Sequence, residues 1–160
     1  MSEQNHYIEM MLKSLQKKLA ALQIILDECE KQAKIIEGHE IDWNQFDVCV
    51  NCKQEQIDEL TKLDDGFADL YDRVKSELQN HQTKYHSEIQ TMQTMIKQIT
   101  DMSVRIQTEE ERNRKAVESG MLQTKQTIKA SKASIKAASD YYKVMSKVNY
   151  VDPQFVDRKK

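Results

Sequence analysis

The sequence predicts an all-α protein: an elongated antiparallel helical bundle or coiled coil of three long helices with a C-terminal helical arm. The 160 residues include only three glycines and one proline, and 31% of them are charged, which is typical of long helices. Apolar residues also recur at steps of three and four, the spacing that places side chains on one face of a helix. We therefore divide the chain into a bundle (residues 1–118), a basic amphipathic arm (119–148) and a non-helical tail (149–160).

The first predicted helix runs from about Ser2 to Glu37, roughly 50 Å at 1.5 Å per residue. Its apolar positions alternate in steps of four and three, the coiled-coil spacing. They are Ile8, Leu12, Leu15, Leu19, Leu22, Leu26, Cys29, Ala33 and Ile36. Met11, Ile25 and Ile35 widen this stripe, so we expect the helix to face more than one neighbour.

The second predicted helix covers residues 43–78 and returns antiparallel beside the first. Asp42 is its expected N-cap, with Gln45 three residues later as in a capping box. Its seam is apolar apart from Lys53. The members are Trp43, Phe46, Val50, Ile57, Leu60, Leu63 or Asp64, Phe67, Tyr71, Val74 and Leu78. The cluster 64–66, Asp-Asp-Gly, is turn-like, and we favour a kink there over a break.

The third predicted helix follows a turn at residues 80–83. Its seam consists of Tyr85, Ile89, Met92, Ile96, Ile99, Ser103 and Ile106. The run 108–120, TEEERNRKAVESG, is mostly charged, so we expect it to project past the bundle or to lie on its surface. Whether the helix continues through Ser119-Gly120 stays open, because glycine costs only about 1 kcal/mol in a helix interior.

The arm has helical spacing but a thin apolar face. An isolated helix of this kind is poorly stable, because it has little apolar surface to pack. Between Ser119 and Val148 the chain has six lysines against one acid. The candidate partner-binding residues are the apolar and aromatic positions of this segment with one small residue among them. They are Met121, Ile128, Ile135, Ala138, Tyr141, Tyr142, Met145 and Val148. The alternative is a frayed, solvated C-terminal helix.

Charge is distributed unevenly along the chain, although the formal total is −2. Residues 40–79 have eleven acids and four bases, a net charge of −7, whereas residues 119–160 have three acids and nine bases, a net charge of +6. The two regions therefore attract one another weakly. The slightly negative net charge of the whole chain argues against nucleic-acid binding. The sequence has no stretch of about 20 apolar residues, so it predicts no membrane-spanning helix.

The chemical motifs of enzymes are missing from the sequence. Cys49 and Cys52 have the spacing of zinc ligands, but no second ligand pair follows, and we expect them to pack as small apolar residues. An odd number of cysteines and a polar N-terminus without a signal peptide indicate reduced thiols in the cytoplasm. Without a phosphate loop or a nucleophile motif, we expect no catalytic activity, no cofactor and no metal.

Three segments resemble the flagellar export chaperones of the FlgN type, in their clostridial form. They are LDDGF at Leu63–Phe67, SVRIQTEEERNRK at Ser103–Lys115 and ASDYYKVMSKVNYVDPQFVDRKK at the C-terminus, and the resemblance covers nearly the whole chain. It implies a cytoplasmic helical bundle that binds the terminal helices of hook–filament junction proteins. Such a chaperone prevents premature assembly and delivers its clients to the flagellar type III export gate and its ATPase apparatus.

The resemblance also implies that the C-terminal helical part, here residues 121–148, binds the client. A sister class of chaperones serves the filament cap protein, and the sequence does not separate the two. Two other classes remain open. One is a coiled-coil adaptor whose arm pairs with itself in a weak homodimer. The other is a peripheral membrane protein with the arm at the interface, which Thr124, Ser131 and Ala138 disfavour because they leave little apolar bulk.

Overall fold

Over the residues that it describes, the computed structural model consists of three long α-helices, which confirms the predicted all-α bundle. They are α1 (Glu3–Glu37), α2 (Trp43–Asn80) and α3 (His86–Gln123). The structure describes residues 3–38 and 40–123, with side chains from residue 5 to residue 120. Most of the predicted arm and all of the predicted tail lie outside the described residues. None of the described helices has an apolar stretch long enough to cross a membrane.

The helices alternate in direction, and α1 packs closely against both of the others. Side-chain contacts fix the antiparallel pairing of α1 and α2: Tyr7 lies beside Arg73, and Gln32 lies beside Lys53. The connection from α2 to α3 is short, so α3 runs parallel to α1. Its later part meets the end of α1 and the beginning of α2.

The helix boundaries follow from local hydrogen bonds. The Asp42 carboxylate accepts a hydrogen bond from the Gln45 backbone N–H at 3.2 Å, so the predicted N-cap is confirmed. The second connection has neither Gly nor Pro and extends slightly beyond the predicted turn, over residues 81–85. It keeps helix-like bonds, from His81 N–H to the Glu77 carbonyl and from Tyr85 N–H to the His81 carbonyl. His81 itself leaves the helical conformation, with φ −129° and ψ 48°, and the chain turns from there.

The acidic cluster at residues 64–66 does not break α2, which is a single helix from Trp43 to Asn80. A Cβ atom placed on Gly66 would meet no other atom within 4 Å. The space around this glycine is therefore open, and no close packing requires it.

The buried stripe of α1 is wider than its most regular apolar row. Met11 and Ile25, predicted to flank the seam, are fully buried, whereas Leu12 and Leu19 are partly buried and pack at the edge of the core. The stripe widens because α1 has a neighbour on each side. As a result, the seven-residue row that begins at Met11 also places Lys18 and Gln32 in buried positions.

The expectation for the charged run of α3 is wrong. This run neither projects past the bundle nor lies on its surface, because Glu110, Asn113 and Val117 are buried against the other two helices. The steps of three and four simply continue beyond Ile106 with polar residues at two of the inward positions. The helix also continues through Ser119-Gly120 to Gln123, which answers the question that the sequence left open.

Among the residues with described side chains, Gly120 makes the last tight contact of α3 with the rest of the bundle. A Cβ atom there would lie 2.8 Å from Cδ1 of Ile41, in the connection between α1 and α2. Any larger residue would therefore push the side chain of Ile41 or the end of α3 aside.

Candidate functional site

The predicted client-binding residues lie at or beyond the end of the described chain. Met121 falls in the last turn of α3, where only the backbone is described. The other seven lie outside the described residues: Ile128, Ile135, Ala138, Tyr141, Tyr142, Met145 and Val148. The contacts of these side chains stay predictions. The structure describes the helical bundle that precedes them in the chain.

A buried polar layer crosses the bundle near the end from which α3 leaves it. All three helices contribute to this layer, and every member is at most 3% exposed. They are Cys29 and Gln32 of α1, Lys53 of α2, and Glu110 and Asn113 of α3. Each occupies an inward position of its helix, where an apolar residue is usual, so the layer replaces one or two apolar layers of the core.

The layer is centred on an ion pair between α2 and α3. The Lys53 ammonium lies 2.6 Å from Oε1 of Glu110 and also donates to the side-chain carbonyl of Gln32. The Cys29 thiol donates to the same Glu110 oxygen at 2.7 Å. Asn113 Nδ2 donates to the backbone carbonyl of Cys29 at 3.0 Å, which ties α3 to the backbone of α1. The five residues therefore connect all three helices.

This layer favours one alignment of the helices more than it favours stability. A buried ion pair gains little over a well-packed apolar layer, because both charges lose their hydration. Among the described residues, Gln32 Nε2 and Glu110 Oε2 also have no hydrogen-bond partner. Sliding one helix by a turn would separate Lys53 from Glu110 and leave two buried charges unpaired. A single polar layer fixes register in coiled coils for the same reason.

A small apolar cluster lies on the outer side of the polar layer. Trp43, Phe46 and Val50 of α2 pack there with Val117 of α3, and three partly buried isoleucines, Ile35, Ile36 and Ile41, surround them. The rings of Trp43 and Phe46 meet edge to face, with centroids 5.5 Å apart. The polar layer separates this cluster from the main core, so we call it the end cluster.

Burial keeps the three thiols in their protonated form. It raises the pKa of Cys29 well above the ordinary value. The nearby Glu110 carboxylate adds to this rise, and the Lys53 ammonium opposes it. Burial also raises the pKa of Cys49 and the pKa of Cys52. A hydrogen bond to Glu28 raises the pKa of Cys52 further. Since thiolates are the reactive and metal-binding form, these cysteines are poorly suited to either role at neutral pH.

Within residues 3–38 and 40–123, no group of three or more His, Cys, Asp or Glu side chains is placed to hold a metal ion. Glu28 of α1 lies beside the Cys49–Cys52 pair, but these three side chains do not form such a group.

Among the described residues, α2 and α3 each lie closer to α1 than to one another. Their side chains meet at the polar layer, through Lys53 and Glu110, and in the end cluster.

The sequence pattern did not identify five polar residues of the interior: Lys18, Glu28, Gln32, Glu110 and Asn113. The predicted seams are defined by apolar residues, so a polar residue at an inward position is predicted to be solvent-exposed or is left out of the seam. The signal was nevertheless present as spacing. Steps of seven lead from Met11 through Lys18 and Ile25 to Gln32, and both α3 residues fall on the continuation of its seam.

Comparison with known proteins gives no further guide to this site. No family model, no curated protein and no solved structure matches the chain. The function is therefore argued from the residues themselves.

Proposed function

We propose that this chain is a cytoplasmic flagellar type III export chaperone of the FlgN type. It binds the C-terminal helices of hook–filament junction proteins, prevents their premature assembly and delivers them to the export gate. The observation that carries the proposal is the sequence resemblance of the C-terminal segment, residues 138–160. Heptad patterns resemble one another easily, whereas this segment is aromatic and irregular, so its resemblance is more specific.

The bundle supports the proposal as a scaffold. The polar layer favours a single alignment of the three helices, and Gly120 sets the close contact from which the chain continues towards residues 121–148. A rigid bundle that leads directly into a partner-binding segment suits a protein whose task is to hold a client. This role requires binding and release and involves no catalysis.

Client recognition follows from the spacing of the arm. An amphipathic helix binds along a groove through anchors three, four and seven residues apart. Ile128, Ile135, Tyr142 and Met145 supply such anchors, and the small residue Ala138 lets a client backbone approach closely. Ordering two helices on each other costs free energy, so the affinity is moderate and release at the export gate is feasible.

Calorimetric titration of the full chain with the C-terminal helical segment of a hook–filament junction protein tests this proposal. We expect a one-to-one complex. Ile128→Asp combined with Ile135→Asp should weaken it by roughly 100-fold, because two apolar anchors of about 1.5 kcal/mol each are lost.

The matched control is Val48→Asp, which changes an exposed apolar residue on the outer face of α2. It should leave the affinity unchanged. Absence of binding to the junction-protein segment would contradict the proposal. Tight binding to the equivalent segment of a filament cap protein instead would assign the chain to the sister class of chaperones.

A further inference from the structure

We infer that the end of the bundle beyond the polar layer opens as a separate unit while the main core stays folded. This unit comprises the end of α1, the beginning of α2, the connection between them and the end of α3. Three features carry the inference: the division of the buried residues into two clusters, the cost of burying the polar layer, and the position of the unpartnered polar atoms. All of these features lie in the bundle, so the inference does not depend on the proposed client.

The first feature is the unequal size of the two apolar clusters. The main core has eighteen buried members, whereas the end cluster has only four, Trp43, Phe46, Val50 and Val117. Hydrophobic stabilisation scales with the apolar area that is buried. The end cluster therefore contributes only a small part of the stability, and opening it leaves the contacts within the main core in place.

The polar layer is the boundary between the two clusters on every helix. It crosses α1 at Cys29 and Gln32, α2 at Lys53, and α3 at Glu110 and Asn113. On each helix, the apolar residues on the two sides of these positions belong to different clusters. Because the apolar contacts are divided here, the two clusters can separate at this layer.

The second feature is the cost of keeping the layer buried. The Lys53 ammonium and the Glu110 carboxylate lie 2.6 Å apart, with side chains only 1% and 4% exposed, so both charges have lost their hydration. When the end of the bundle opens, water reaches this pair and restores that hydration. The gain offsets part of the packing that the end cluster loses, whereas an apolar layer would gain nothing from water.

The third feature is the position of the buried polar atoms that lack a hydrogen bond. Among the residues with described side chains, they belong to Glu28, Gln32, Trp43 and Glu110. Glu28 Oε2 still pairs with Lys31 at 2.9 Å, whereas Gln32 Nε2, Trp43 Nε1 and Glu110 Oε2 have no hydrogen-bond partner. Each of these three atoms gains a hydrogen bond to water when the end opens. All three lie in the polar layer or in the end cluster, so this end is where opening costs least.

Amide hydrogen exchange of the full chain in low concentrations of urea tests the opening, with Val117→Ala and Val74→Ala as matched variants. Both valines are buried, Val117 in the end cluster and Val74 in the main core. In the unmodified chain, amides of residues 47–50 and 114–117 should be at least about tenfold less protected than those of residues 15–26. Their exchange should also depend less steeply on urea, because the opening exposes less surface than global unfolding does.

The two variants should act on different amides. Val117→Ala removes packing from the end cluster, so it should speed exchange in residues 47–50 and 114–117 alike, by about tenfold. Val74→Ala should speed exchange in residues 15–26 by a similar factor. It should leave both end segments unchanged, because the opening of the end keeps Val74 buried. In a chain that unfolds as one unit, either variant would instead speed exchange in all three segments equally.

The role of the layer as the boundary is tested by making it apolar. In Lys53→Met with Gln32→Leu and Glu110→Leu, apolar packing should run through the layer and join the two clusters. Val74→Ala added to this background should then speed exchange in the end segments as well.

Three results would overturn the inference. Faster exchange of the end segments in Val74→Ala alone would show that the bundle opens as a single unit. An effect of Val117→Ala that is confined to residues 114–117 would show fraying of α3 by itself. Separate opening that persists in the apolar background would show that the polar layer is not the boundary.

Discussion

The two ends of the bundle use the same helix spacing for different purposes. At the end near the α2–α3 connection, the interior is apolar, with Met11, Val74, Leu78 and Met92 buried, and the Tyr85 hydroxyl donates to Glu77 at 3.2 Å. At the other end, the polar layer interrupts the core before the end cluster. Apolar layers stabilise a bundle in almost any alignment, whereas a polar layer rejects alignments that leave a charge unpaired. The apolar end thus mainly stabilises the bundle, and the polar end mainly fixes the alignment of its helices.

The sharpest way to break this comparison is to remove one charge from the polar layer. Lys53→Met should lower the free energy of unfolding by about 3–5 kcal/mol, because Glu110 would remain buried without its cation. Urea unfolding followed by circular dichroism measures this loss. Fluorescence of Trp43, the only tryptophan, reports the end cluster separately, and we expect its transition to come first.

The control for that change is Lys62→Met, which alters an exposed lysine of the same helix. It should shift the free energy of unfolding by no more than about 0.5 kcal/mol. Equal effects of the two substitutions would show that the Lys53–Glu110 pair has no special role in the interior.

Removing both charges should have a much smaller effect. In Lys53→Met with Glu110→Leu, no buried charge is left unpaired. The free energy of unfolding should therefore return to within about 1 kcal/mol of the unmodified value or exceed it. A double-mutant cycle from urea unfolding measures the coupling. If the double variant is instead as unstable as the two single losses added together, the layer contributes stability and the comparison of the two ends fails.

High pH should weaken the polar end through Cys29. Burial raises the pKa of this thiol above its ordinary value of 9.0, so the folded chain keeps a proton that the unfolded chain releases. The stability is therefore fully present below about pH 9 and falls above it, by up to about 1.4 kcal/mol per pH unit for one proton. Urea unfolding at pH 8 and pH 10 should show this fall. In Cys29→Ala, the fall should be smaller by the contribution of that thiol, and an identical fall would contradict the assignment.

The smallest effect should come from the other interior lysine. Lys18 lies 2.6 Å from Asp64, but the side chain of Asp64 is 39% exposed, so water reaches this pair. Asp64→Asn should therefore cost about 1 kcal/mol or less, since a lysine near the surface can direct its ammonium to water. Thermal unfolding by circular dichroism checks this. A loss as large as that for Lys53→Met would mean that exposure does not distinguish the two pairs.

Apolar spacing was sufficient to predict the fold and the N-cap at Asp42. It could not show which polar residues are inside, because a lysine or a glutamate on a heptad position reads as an interruption until its partner is known. Lys53 and Glu110 are 57 residues apart, and the packing of both α2 and α3 against α1 brings them together. The sequence predicts a solvent-exposed run around Glu110, because the immediate neighbours of this residue are charged.

Only part of the candidate site could likewise be predicted from the sequence. Its predicted residues follow from local spacing and from the resemblance of the C-terminal segment. The polar layer could not be predicted, because its residues come from three helices that only the folded bundle brings together. Gly120 likewise gave no clear signal, since its role rests on a contact with Ile41, far away in sequence.

The parallel arrangement of α1 and α3 has a mechanical consequence. Because α1 and α3 are parallel, the beginning of α1 and the end of α3 lie at opposite ends of the bundle, roughly 50 Å apart along helices of this length. A pulling force applied between these two points acts along the helix axes and shears every layer at once. A two-helix hairpin, whose ends are adjacent, would instead unzip one layer at a time. The three described helices therefore resist tension applied between the beginning of α1 and the end of α3.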